Sequence, residues 1–119
     1  MRFLISGGGT GGHIFPAVSI ANALRQRQPD CEILFVGANG RMEMERVPEA
    51  GYNIVGLDIQ GLERRKVLRN IRIIYNFVRS RGKARQIVRS FRPDVAIGVG
   101  GYVSAAAMSA AAALGVPVV

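Results

Sequence analysis

Five short, mostly apolar runs, at 2–6, 31–36, 53–57, 95–99 and 116–119, alternate along this chain with stretches whose apolar residues recur at helical spacing. βαβ units produce that alternation, because strand, crossover helix and next strand build one parallel sheet. The runs are nearly continuous in hydrophobicity, as strands buried on both faces must be. The expectation is an α/β fold, an open parallel sheet with helices on both faces. Val18, Ala21 and Leu24 mark the inner side of a helix over 15–28, with Ile14 just ahead of it as an optional fourth member, and 41–50 reads as a short helix closed by Gly51. Val67, Ile71, Ile74 and Val78 form one helical stripe, and Ala84, Ile87, Val88 and Phe91 form a second after Gly82. An Ala-rich helix is expected over 103–114, capped by Gly115.

A length of 119 residues suits one domain with a core of its own. The single cysteine, Cys31, excludes an internal disulfide and reads as a small buried strand residue. The apolar start is too short for a signal peptide. Residues 96–119 carry no charge and are long enough to suggest a membrane span. Gly98, Gly100, Gly101, Gly115 and Pro117, with weakly apolar alanines between them, argue instead for strand, glycine turn, buried helix and strand. The last run stops inside what reads as a strand, so the chain is expected to be a fragment truncated at its C-terminal end.

Two glycine loops carry the chemistry. Gly7-Gly8-Gly9-Thr10-Gly11-Gly12-His13 follows the first strand and leads into a helix, where backbone N–H groups can approach an anion closely. Gly7, Gly9 and Gly12 satisfy the dinucleotide spacing G-x-G-x-x-G, but Phe35-Val36-Gly37-Ala38-Asn39 offers no acid for a ribose at the end of the second strand. His13-Ile14 stands where a phosphate loop needs Lys and Ser/Thr. Tight turns alone also call for such glycines. His13, the only histidine, sits at a helix N-terminus that favours the neutral ring a general base presents, and capping or packing is its plainer role. The second loop, Gly98-Val99-Gly100-Gly101-Tyr102-Val103-Ser104, repeats the arrangement after the fourth strand. Tyr102 and Ser104 there can donate to phosphate or sugar oxygens, or merely pack and cap. Ligands of open α/β sheets bind outside the carboxyl ends of strands, so two loops on that edge imply one cleft.

The ordered series Gly8-Gly9-Thr10-Gly11-Gly12-His13 with Pro16, Arg41-Met42-Glu43 with Val47-Pro48 and Gly51, Gly61-Leu62, Pro93-Asp94, Gly100-Gly101-Tyr102-Val103-Ser104 and Gly115-Val116-Pro117-Val118-Val119 closely resembles the MurG family. These are UDP-N-acetylglucosamine–N-acetylmuramyl-(pentapeptide) pyrophosphoryl-undecaprenol N-acetylglucosaminyltransferases of peptidoglycan synthesis, in glycosyltransferase family 28. The resemblance implies a GT-B enzyme with two Rossmann-like domains facing a cleft. Residues 1–119 would be the N-terminal, acceptor-binding half, without the C-terminal UDP-sugar domain. The family is inverting and metal-independent, which implies neither metal nor cofactor. By resemblance, Thr10, Gly11 and Gly12 reach the donor, UDP-N-acetylglucosamine. Gly8, Gly9, Gly100, Gly101, Tyr102 and Ser104 lie at the acceptor diphosphate, and His13 is catalytic base or acceptor-orienting group. The acceptor is the undecaprenyl-pyrophosphoryl-muramyl-pentapeptide. A further family donor contact, an Asn past Val119, is not in the chain, so the isolated chain is expected to be inactive.

The net charge of +8 is concentrated: Lys and Arg at 64, 65, 66, 69, 72, 79, 81, 83, 85, 89 and 92 face one acid, Glu63, in that stretch. Such a band implies an anionic partner. Leu68, Ile73, Tyr75 and Phe77 lie outside the main stripe of the first band helix, with Arg69, Arg72, Arg79 and Arg81 around them. An apolar patch with a cationic rim suits an anionic bilayer surface, so Arg69, Arg72, Ile73, Phe77 and Arg79 are expected to face the membrane. The resemblance implies peripheral attachment at the cytoplasmic face. A solvated charged face over a core helix is the plainer alternative. A transferase for another lipid or glycoside acceptor is the rival enzyme. A nucleic-acid module is the rival binder, but Tyr75, Phe77 and Phe91 keep core-compatible spacing, so no nucleic acid is expected.

Overall fold

The computed structural model describes residues 1–7, 11–58, 79 and 82–119. Strand β1 (Arg2–Gly7) is followed by helix α1 (Gly11–Arg27), β2 (Glu32–Ala38), α2 (Glu43–Glu49) and β3 (Asn53–Leu57). Helix α3 covers 82–91, and β4 (Val95–Gly100) and α4 (Tyr102–Ala113) complete the order. All strand pairs are parallel, in the order β3-β2-β1-β4. Val118 bridges Ala96 in the same sense, with Ala96 N–H donating to Pro117 C=O at 2.9 Å and Gly98 N–H to Val119 C=O at 3.0 Å. The last apolar run therefore lies beside β4 as a bridge rather than a full strand.

Successive strand residues point to opposite faces, and the core divides accordingly. Phe3, Ile5, Ile33 and Phe35 pack with Ile14, Ala17 and Ala21 of α1 and Val47 of α2. Leu4, Val36, Ala38 and Leu57 pack on the other face with Ala84 and Val88 of α3 and Val103, Ala106, Ala107, Ala110 and Ala111 of α4. Each large apolar side chain so buried contributes about 1.5–3 kcal/mol, and both faces must be covered for the strands to stay dry. Alanines on α4 let its backbone lie close to the sheet. This explains why an uncharged segment needs no bilayer.

Boundaries moved in a few places. α1 begins at Gly11, four residues before the expected start, so Gly11, Gly12 and His13 form its first turn. First-turn N–H groups have no intrahelical acceptor, and this turn therefore presents them at the sheet edge. Pro16 lies inside the helix and leaves Gly12 C=O without its usual donor. β2 begins at Glu32, so Cys31 precedes the strand and is half-buried instead of a buried strand residue. Gly82 is already helical. α4 ends as expected at Gly115: Gly115 N–H donates to Ala112 C=O at 3.1 Å and Val116 N–H to Ala111 C=O at 3.0 Å, the paired bonds of a Schellman cap. The 67–78 stripe and Gly61-Leu62 lie outside the described residues.

Candidate functional site

β1 and β4 are neighbours, and both end in glycine: Gly7 pairs with Gly100 after a register shift that follows the Ser6–Gly98 pair. Helix α1 starts four residues beyond Gly7, and α4 two beyond Gly100. α1 and α4 cover opposite faces of the sheet, so two helix N-termini flank this pair of strand ends. Each N-terminus carries N–H groups that have no intrahelical acceptor and about half a positive charge, which makes the edge attractive to an anion from both sides. Gly100 (φ 133°) and Gly101 (φ 93°, ψ 168°) adopt backbone conformations that a Cβ disfavours, so the turn into α4 requires glycine.

The residues singled out from sequence fall as follows. Gly11, Gly12 and His13 make the first turn of α1. Gly100 ends β4, Gly101 caps α4 and Tyr102 is its first residue. Ser104, in the same turn, is buried (5 % exposed), with its Oγ against Gly98, where an added Cβ would come within 2.6 Å. Gly8, Gly9 and Thr10 lie outside the described residues, as do Arg69, Arg72, Ile73, Phe77 and the other expected rim cation, Arg81. Arg79 is helical and exposed. Lys83 of the basic band donates to Gly56 C=O at 3.1 Å, so this cation ties α3 to the sheet.

Two residues at this edge have roles that were not legible in the sequence. Ser6 is fully buried and its hydroxyl donates to Val36 C=O at 2.9 Å. Glu43, also fully buried, accepts the Ala38 N–H on Oε1 at 3.0 Å. Strand β2 itself ends without an acid, and this carboxylate returns to it from the first turn of α2. Gly37 was the available signal: a Cβ there would stand 2.6 Å from Glu43 Cγ.

Parallel strands in this order, helices on both faces and glycines closing β1 and β4 define a Rossmann-like domain, a class of fold whose ligands bind outside the carboxyl ends of the strands. The chain matches the glycosyltransferase family 28 N-terminal domain over residues 3–119, and it belongs to that family. It is 61% identical over 117 residues to the UDP-N-acetylglucosamine–N-acetylmuramyl-(pentapeptide) pyrophosphoryl-undecaprenol N-acetylglucosamine transferase of Porphyromonas gingivalis, covering 98% of this chain and 31% of that protein. Identity to the Bacteroides fragilis protein of the same name is 58%, with the same coverage of each chain. The crystal structure of Acinetobacter baumannii MurG has a TM-score of 0.83 at 29% identity, covering 98% of this chain and 33% of that one. The chain thus spans about a third of the length of the curated relatives it matches. Among the described residues, no helix is long and apolar enough to cross a membrane.

Proposed function

We propose that the chain is the acceptor-binding half of an inverting transferase that moves N-acetylglucosamine from UDP-N-acetylglucosamine to an undecaprenyl-pyrophosphoryl-muramyl-pentapeptide. The observation that carries this reading is the pairing of Gly7 with Gly100 between two helix N-termini. The names of the relatives supply the sugar, the nucleotide and the lipid acceptor.

In the proposed reaction the muramyl 4-hydroxyl attacks the anomeric carbon of the donor. The new C–O bond forms as the bond to the UDP oxygen breaks, and the hydroxyl proton passes to His13. The glycine loops, Gly8, Gly9, Gly100 and Gly101, hold the acceptor diphosphate through backbone N–H groups, helped by Tyr102 and Ser104. Such preorganised donors are effective because they need no reorientation during the reaction. Thr10, Gly11 and Gly12 meet the donor across a cleft whose other wall is a second domain. The basic band, with Arg69, Arg72, Ile73, Phe77 and Arg79, seats the enzyme on the cytoplasmic face of the membrane where its acceptor is anchored.

The test is a transfer assay of the full-length enzyme with UDP-N-acetylglucosamine and the lipid-linked muramyl-pentapeptide. The expected product is the β-linked disaccharide on the lipid. Donor hydrolysis without transfer, or transfer only to a non-muramyl acceptor, would refute the assignment.

A further inference from the structure

We infer that Glu43 is a positioning residue: its side chain ends the β1–β2 ladder at Gly7 and so sets where the first glycine loop leaves the sheet. The inference rests on the reading of that loop as a ligand site. Along β2, even-numbered residues face β1. Glu32 N–H donates to Met1 C=O at 2.9 Å, and Val36 C=O accepts the Ser6 hydroxyl. Asn39 N–H, by contrast, faces β3 and donates to Leu57 C=O at 2.9 Å. Ala38 N–H therefore points to the β1 side. The paired register stops at Ser6–Val36, and one further step would give Ala38 N–H to Gly7 C=O. Glu43 Oε1 takes that N–H instead, at 3.0 Å.

Gly37 makes this possible. A Cβ at 37 would lie 2.6 Å from Glu43 Cγ and 2.9 Å from Ile54 Cδ1, so the missing side chain on the strand admits the glutamate to a fully buried position. Gly37 admits Glu43, Glu43 takes the Ala38 N–H, and the β1–β2 ladder ends at Ser6–Val36 instead of running one step further. The Arg41-Met42-Glu43 motif thereby acquires a role at the edge of the sheet.

The experiment uses the full-length enzyme with Glu43→Leu, Glu43→Gln and Gly37→Ala, measuring kcat, both KM values and melting temperature. Gln keeps an oxygen to accept the Ala38 N–H, Leu fills similar volume without one, and Gly37→Ala displaces an unaltered glutamate. A shift of about 1 Å in substrate-positioning groups costs on the order of 10²-fold. Glu43→Leu and Gly37→Ala should therefore raise the KM for donor and acceptor about tenfold or more, while Glu43→Gln stays within about threefold. Should Glu43→Leu fail to fold, Gly37→Ala carries the test. Parental KM values in folded Glu43→Leu or Gly37→Ala, or a Gln variant as defective as Leu, would overturn the role. Gly11→Ala separates the two layers. If it retains activity, the ligand reading of the loop falls; if it is inactive while Gly37→Ala and Glu43→Leu are kinetically parental, only the role of Glu43 falls.

Discussion

The hydroxyl of Ser104 stands 2.6 Å from the point that a Cβ on Gly98 would occupy, and Met108 Cγ stands 2.8 Å from it. The first turn of α4 is thereby seated directly on β4. Gly98→Ala must push the helix outward, because Ser104 is short and anchored to it even if Met108 can swing away. The expected loss is about 1–3 kcal/mol in unfolding free energy of the domain transition. Adding Ser104→Ala should recover part of it, with a coupling of about 0.5–3 kcal/mol between the two sites. Purely additive effects in denaturant titrations would contradict the contact.

Gly115 and Gly82 make a contrasting pair, since at neither does any described residue beyond its local backbone come within 4 Å of an added Cβ. Gly115 sits at φ +80°, where an L side chain costs about 1–2 kcal/mol. Gly82 begins the described part of α3, and alanine there should be neutral or stabilising by up to about 1 kcal/mol. Thermal melts should show the Gly115→Ala transition falling and the Gly82→Ala transition unchanged or raised. A reversed order would refute the described cap and helix.

These contacts also show how far the sequence was legible. The strands were readable because continuous apolar runs such as Leu4-Ile5 and Phe35-Val36 have few other uses, and the α4 cap because Gly115 follows the last alanine turn. The start of α1 was hidden, since glycine is a poor helix former and Gly11-Gly12 looks like loop until the packing of Ile14 and Ala17 extends the helix back through them. Glu43 was hidden for another reason. Its partner Ala38 N–H becomes available only where one ladder stops, and no local pattern records that.

Membrane association should combine charge and apolar contact. Cations near an anionic surface contribute about 1 kcal/mol each, over a Debye length of about 8 Å in physiological salt. Cosedimentation of the full-length enzyme with anionic vesicles should fall with added salt and with Arg69→Glu plus Arg72→Glu. Equal binding to neutral and anionic vesicles would rule out the cationic rim, and stronger retention on RNA than on vesicles would point to the other anionic partner.

His13 heads α1 with Gly11 and Gly12. As a general base its removal by His13→Ala should lower kcat by about 10² to 10⁴ and abolish the acid limb of the pH–rate profile. That limb reflects protonation of the ring as pH falls, so alanine has nothing left to titrate there. If the ring only orients the acceptor, KM for the lipid rises and the acid limb persists. A variant that melts early but turns over normally per folded molecule would remove His13 from the site.

Gly11→Ala in the full-length enzyme tests the central claim most directly. Gly11 is the first residue of α1, where alanine is the better helix former, so the fold should be unharmed or stabilised by up to about 1 kcal/mol. A ligand held against the backbone of that turn has no room for a Cβ, and kcat/KM should fall on the order of 10²-fold or more. An unchanged melting temperature with that loss of transfer is the predicted result. An unchanged melting temperature with normal kcat/KM for both substrates would contradict the account.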